Sequence, residues 1–349
     1  MSVERALSEA IEDGTTPGAA AVVVTGDGRR HAVLAGRQHR LAGARAIDEH
    51  TVWDLASLTK LLSTTLLAAR AVDAGRLSLD EVPWPARWPG VTAAHLLRHD
   101  AGLPAWRPLY QVARKAGVCG LPAGARAVIA AALATEPEAP PGARTLYSDV
   151  GFIALGALLE ERLGAPLDLV FADAARVYGA PALRFVRLDV DGFHPAVPNV
   201  APTERCPWRR RALFGQVHDD NAFAMGGVAG HAGLFGSLID VEAAARFFLR
   251  ALTEDGEATL ASFAAGGGER GLGFERTTPD GTTAGALSPR AVGHLGFTGT
   301  SLFVDPDPPG AAYVLLTNRV HESREHKRRI FLARRAFHRA AASWVRAGG

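Results

Sequence analysis

Lysine is nearly absent from this sequence. Among 38 Lys and Arg residues only Lys60, Lys115 and Lys327 are lysine. Arginine supplies surface charge equally well but keeps its proton in a protein, whereas a desolvated lysine can become a neutral base. A lysine retained in this background is a candidate for proton chemistry, and Lys60 closes the segment TVWDLASLTK, residues 51–60. Cysteine is scarcer still. Cys119 and Cys206 stand far apart in unrelated contexts, which argues against a disulfide framework and offers no metal-ligand spacing. No run approaches the roughly eighteen uninterrupted apolar residues of a membrane span. Glu4 and Glu9 fall where a secretory leader needs an apolar stretch. These absences lead to the expectation of a soluble cytoplasmic protein with no membrane partner. A formal net charge of +2 leaves no footprint for nucleic acid. The densest basic patch, His326 to Arg329, alternates with apolar residues at helical spacing and reads as a solvated helix face.

What is present fits an enzyme-sized soluble chain of 349 residues, 48% hydrophobic and 21% charged, enough to bury a large core. Residues 3–12 have the spacing of a short amphipathic helix. Residues 19–36 give two β-prone runs around Gly26-Asp27-Gly28, a hairpin signal. After Ser57 the apolar positions 58, 61, 62, 66, 69 and 72 predict a helix ending near Gly75. Small or apolar residues on its other face predict a central, buried helix. Residues 80–145 mix prolines with short helical stretches, and 151–163 predict another helix. Strands return at 272–278, 296–306 and 311–319, before a closing amphipathic helix over roughly 324–346. The expected fold class is α/β (α+β): an antiparallel sheet built from both termini and flanked by helices, with a mainly helical domain inserted. The expected division is 1–60 and 265–349 for the sheet domain and 61–264 for the helical one.

Ser57 and Lys60 lie three residues apart at a predicted helix start, which places them on one face, a turn apart. A serine hydroxyl is a poor nucleophile until a neighbouring base takes its proton. A buried lysine near a positive helix end is disfavoured in its charged form and becomes a usable base. The same helix end directs N–H groups at a developing oxyanion. Ser-x-x-Lys alone is a weak pattern.

Three motifs in order carry more weight: SLTK (residues 57–60), YSD (Tyr147, Ser148, Asp149) and HLG (His294, Leu295, Gly296). Together they resemble the motif set of class C β-lactamase-like serine hydrolases, a family that includes D-Ala-D-Ala peptidases and serine esterases. The likeness runs from about residue 15 to 340. It implies a β-lactamase/transpeptidase-like fold, Ser57 as acylated nucleophile, and Lys60 with Tyr147 sharing the proton work. It further implies that the segment His294-Leu295-Gly296 flanks the acyl group, and that the N–H groups of Ser57 and Phe297 form the oxyanion hole, the latter from a strand edge. A class A reading through Ser148-Asp149 fails at Val150.

Two departures from the family bear on substrate. The middle motif usually ends in asparagine, and Asp149 can only accept hydrogen bonds unless protonated. An anion beside Lys60 also favours the charged amine. Leu295 replaces the usual hydroxyl residue, unless Thr298 or Thr300 compensates. Both changes disfavour a carboxylate-bearing substrate, so the expected activity is esterase action on a small neutral acyl substrate. Amide, D-peptide or weak β-lactam cleavage, acyl transfer and a catalytically inactive binding protein stay open. No cofactor or metal is implied, and a monomer is the favoured state. His218, Asp219, Asp220 and His231 match no metal-ligand spacing and read as a loop bordering the cleft. His99 and Asp100 are expected to fix a turn. Trp84, Trp88 and Trp106 could wall an acyl pocket or pack under loops.

Overall fold

The computed structural model describes residues 1–188, 197–254, 256–266, 269–321, 323–325 and 327–348. His326 of the basic patch lies outside the described residues; Lys327, Arg328 and Arg329 are exposed at the start of the last helix.

Strand β1 (Gly18–Thr25, GAAAVVVT) holds no charged residue and is buried at every position. Such a strand must be covered on both faces. Its side chains alternate between two cores: Ala20, Val22 and Val24 enter the larger, Ala19, Ala21 and Val23 the smaller. Strand β2 (Arg30–Gly36) folds back on it across the expected hairpin. The remaining strands of the sheet come from the far end of the chain: β3 (Glu275–Arg276), β4 (Val292–Leu295), β5 (Ser301–Asp305) and β6 (Ala311–Thr317). The sheet is antiparallel throughout, in the order β2-β1-β6-β5-β4-β3. Its central seam joins the two ends of the chain, from Ala19 opposite Thr317 to Thr25 opposite Ala311.

Five helices frame the sheet and the cleft: α1 (Val3–Glu12), α2 (Leu66–Asp73), α3 (Asp149–Leu163), α4 (Leu238–Thr253) and α5 (Lys327–Arg346). Helices α1 and α5 cover one face of the sheet, packing Val3, Leu7, Phe337 and Val345 on Val23, Phe303 and Tyr313. On the other face α4 brings Val241 and Phe248 into the core shared with Val22, Leu302 and Val314. The mixed α/β architecture with flanking helices is the one expected. No helix among the described residues is long and apolar enough to cross a membrane.

Three local expectations change. The segment after Ser57 is buried and helical, but Lys60–Thr65 forms a π-helical turn before α2 begins. Hydroxyls divert the local bonding: Thr59 donates to Ala56 O at 2.7 Å and Thr64 to Gly230 O at 2.6 Å. A Cβ on Gly230 would stand 2.2 Å from Phe152 O, so glycine alone lets this loop reach α3. Residues 272–278 supply only the two-residue β3, because Leu272 N and Gly273 N donate to Phe263 O and Leu97 O in the helical part. Residues 296–300 form a turn, and the strand starts at Ser301. Gly299, at φ +108°, bends the chain there. Thr298 and Thr300 draw the turn off the ladder by bonding to Asp54 O and Leu55 O.

Phe337 has no exposed surface and fills the smaller core. Truncation to alanine should lower unfolding free energy by about 3–5 kcal/mol, read as a lower urea midpoint with unchanged slope.

Candidate active site

Ser57 sits on a sharp turn. Trp53 and Asp54 pair with Gly236 and Phe235, after which Ala56 takes a left-handed conformation at φ +48°, unusual for alanine. The buried Asp54 carboxylate holds the bend. It accepts from Ala56 N at 2.8 Å and from His218 N at 2.6 Å. Leu58, Thr59 and Lys60 then bond back to the carbonyls of Leu55, Ala56 and Ser57. Among the described residues no protein acceptor takes the Ser57 N–H, which lies at the helix entry beside the cleft.

Lys60 is fully buried beneath Ser57. Its Nζ donates to three acceptors: Asp149 Oδ1 at 2.7 Å, Ser57 Oγ at 3.0 Å and His231 O at 3.1 Å. Three acceptors match the three hydrogens of an ammonium group. Burial is the strongest single influence on this amine and opposes its charge. Asp149 and Tyr147 together outweigh it, so the pKa is raised above the ordinary lysine value. Asp149 reaches Lys60 from the first turn of α3, whose cap Ser148 accepts from Gly151 N.

Tyr147 lies over the same ammonium, its ring centroid 4.9 Å from Lys60 Nζ. The ring stands between His99 (4.6 Å) and His294 (5.8 Å). Burial raises the phenol pKa and Asp149 adds to the rise; the Lys60 charge and hydrogen bonding to Lys60 and Ser57 work against it. Both histidines are pushed well below the usual imidazole range by burial first, then by the cations around them. His294 therefore brings no positive charge to the third motif. His99 fixes a turn, as expected, in a left-handed conformation at φ +62°, and its Nδ1 accepts from Ser148 N at 3.0 Å. It thereby also orients Tyr147, a role its place in the sequence did not suggest.

His294 and Leu295 end β4; Gly296 and Phe297 begin the turn. The Phe297 N–H thus belongs to a turn and not to a strand edge, and among the described residues it has no protein acceptor. Thr298 and Thr300 are fully buried and spend their hydroxyls on Asp54 O and Leu55 O. They do not replace the hydroxyl missing at Leu295. Instead they tie the turn to the segment that presents Ser57. A Cβ on Gly296 would lie 2.0 Å from Thr300 Oγ1 and 2.6 Å from Leu55 O, so this approach requires glycine.

Ser57, Tyr147, Asp149, His294, Leu295, Gly296 and Phe297 all line one cleft of about 870 Å³, with Lys60 just below it. His218, Asp219, Asp220 and His231 border the same cleft. Asp219 Oδ1 lies 2.8 Å from His231 Nε2, and its carboxyl is held far below the usual range against the cost of burial. Of the three tryptophans only Trp106 reaches the cleft; Trp88 is buried and donates to Thr135 O. Three arginines of the site carry no mark in the sequence. Arg270 sets its guanidinium 5.4 Å from the Tyr147 ring centroid, with Nε and Nη2 buried and lacking a hydrogen-bond acceptor among the described residues, although Glu275 Oε2 is 3.5 Å from Nη2. Arg319 and Arg334 grip the 296–300 turn.

The family model described as Beta-lactamase matches residues 3–337. A "Putative D-alanyl-D-alanine carboxypeptidase" of Salmonella enteritidis PT4 (strain P125109) is 31% identical over 314 residues, covering 78% of this chain and 70% of that protein. Among solved structures, unliganded "Simvastatin Synthase (LovD)" of Aspergillus terreus superposes with a TM-score of 0.72 at 18% identity, covering 99% and 98% of the two chains. "EstCE1, a hydrolase with promiscuous acyltransferase activity" gives 0.69 at 23% identity, covering 95% and 97%. At these identities the two structures bear on the fold.

Asp149→Asn removes the main counterweight to burial at Lys60, so the amine pKa should fall. The rising limb of kcat/KM against pH should then move to lower pH than in the unaltered protein. A limb that stays in place would show that Lys60 is not the group being titrated.

Proposed function

The chain belongs to the β-lactamase family of serine hydrolases, and on that footing we propose that it hydrolyses esters of small neutral acids through an acyl-enzyme on Ser57. The observation that carries the reading is the three-way bonding of Lys60 Nζ to Ser57 Oγ, Asp149 Oδ1 and His231 O. It binds a candidate nucleophile at the cleft to a proton carrier that is itself fully buried. In this reading the active form carries one proton fewer on the Lys60–Tyr147 pair, and Ser57 attacks the acyl carbon while its proton passes to the deprotonated member of that pair. The N–H groups of Ser57 and Phe297 receive the developing oxyanion. The pair then returns the proton to the leaving oxygen, and water repeats the sequence to free the acid.

Two features favour esters over amides. Asp149 offers lone pairs where an asparagine would also offer an N–H to a substrate amide carbonyl. Leu295 presents no hydroxyl to the cleft beside the acyl site. With fewer groups to hold and protonate an amine, the easier departure of an alkoxide matters more.

A second reading, cleavage of a D-alanyl-D-alanine type peptide, is favoured by the name of the 31%-identical relatives. The Arg270 guanidinium in the cleft wall, a counter-charge for a substrate carboxylate, favours it too.

Short-chain p-nitrophenyl esters, nitrocefin and a D-Ala-D-Ala peptide, assayed side by side, decide between the two. The expected result is kcat/KM highest for the esters, a single fluorophosphonate adduct by intact mass, and loss of both in Ser57→Ala. Faster turnover of the peptide would establish the second reading. Lys60→Arg should abolish turnover by either route, since guanidinium does not release its proton at working pH.

A further inference from the structure

The two candidate oxyanion donors are built alike with one difference. Each N–H follows a carbonyl that is itself doubly bonded within a tight turn. Ala56 O, in the peptide that carries the Ser57 N–H, accepts from Thr59 N at 3.0 Å and from Thr59 Oγ1 at 2.7 Å, both neutral donors. Gly296 O, in the peptide that carries the Phe297 N–H, accepts from Gly299 N at 3.0 Å and from Arg334 Nη2 at 2.6 Å. The second peptide therefore has a guanidinium on its oxygen.

Building on the serine-hydrolase reading, we propose that Arg334 is a positioning and polarising residue for catalysis, strengthening the Phe297 N–H as an oxyanion donor through the Gly296 carbonyl. The peptide C–N bond has partial double-bond character. A charge-assisted bond to its oxygen favours the form with negative charge on oxygen and positive charge on nitrogen. The N–H at the other end of the same unit becomes a better donor, and chains of hydrogen bonds in a low-dielectric interior reinforce one another in this way.

Geometry supports the assignment. Arg334 projects from α5 beneath the turn and is only 7% exposed. Nη2 also donates to Thr300 O at 2.7 Å, so one nitrogen spans both ends of the turn. Arg319 adds a donor from Nε to Phe297 O at 2.8 Å, fixing the next peptide as well. Burial brings the Arg334 pKa down to about 10, with Glu275 working to restore it and Arg319 to lower it further, so the group is charged at neutral pH. A buried cation is costly unless it is hydrogen-bonded, and the Nη2 hydrogen bonds of Arg334 end on the turn that carries the Phe297 N–H. Nothing in the sequence marks this residue, which lies 37 positions beyond Phe297 in a helix whose other arginines face solvent or cap loops.

The test is difference infrared spectroscopy of the acyl-enzyme formed from an ester with a carbon-13 carbonyl, under rapid mixing. Stronger donors to the acyl oxygen lower its stretching frequency. Arg334→Met should move the band to higher frequency and reduce kcat about tenfold, less than the roughly 10²–10³ lost with a whole donor, with KM nearly unchanged. Arg334→Lys keeps the charge but not the two-point grip, and should fall between the two; it also serves if the methionine variant does not fold. An acyl band that stays in place in folded Arg334→Met or Arg334→Lys overturns the proposal and leaves the hydrolase reading intact. Absence of any Ser57 adduct in the unaltered protein overturns the hydrolase reading and the proposal with it.

Discussion

One buried ammonium group organises the site. The three bonds of Lys60 Nζ end on a residue of its own turn, a residue of the first turn of α3 and the backbone of the glycine-rich loop before residue 234. Three stretches that are distant in sequence must therefore meet at one point, and the charge has no water to fall back on. Losing any acceptor would leave a buried donor unmatched, which is expensive inside a protein. The loop and helix are correspondingly close: Gly230 sits against Phe152 O where no side chain fits, and Thr64 bonds to the same glycine.

The departures from the family pattern interlock. An anion at 149 settles the proton on Lys60, and burial keeps His294 neutral, so positive charge near Tyr147 comes from Lys60 and Arg270. The hydroxyls nearest the third motif face inward and bond to the strand that precedes Ser57. Among the described residues the cleft also keeps buried polar atoms without a hydrogen-bond partner, His294 Nε2, His231 Nδ1 and Arg270 Nε among them.

Much of this could be read from residues alone. The β-prone runs at 19–36 and 311–319 announced strands from both ends of the chain, and the SLTK, YSD and HLG motifs marked residues that the fold brings to one cleft. The scarcity of lysine singled out Lys60. What stayed hidden depended on distant partners. The π-helical turn keeps the same apolar positions as an α-helix, so periodicity does not reveal it. The turn at 296–300 looks like strand because Thr298 and Thr300 favour extended backbone, until Asp54 and Leu55 claim their hydroxyls. Arg270, Arg319 and Arg334 vanish among many arginines, and only burial distinguishes them.

The stitching of residues 296–300 to residues 54–55 also orders events in time. The turn that holds Ser57 precedes in the chain the strands that complete its surroundings and the helix carrying Arg334, so it leaves the ribosome before them. β1 finds its central partner only when β6 has left the ribosome, a pairing of very large sequence separation and slow closure. A growing chain would hold Ser57 and Lys60 long before it holds the 296–300 turn that faces them across the cleft. The cleft around Ser57 is therefore completed only after β6 has been made, and a chain cut before residue 311 leaves β1 paired with β2 alone.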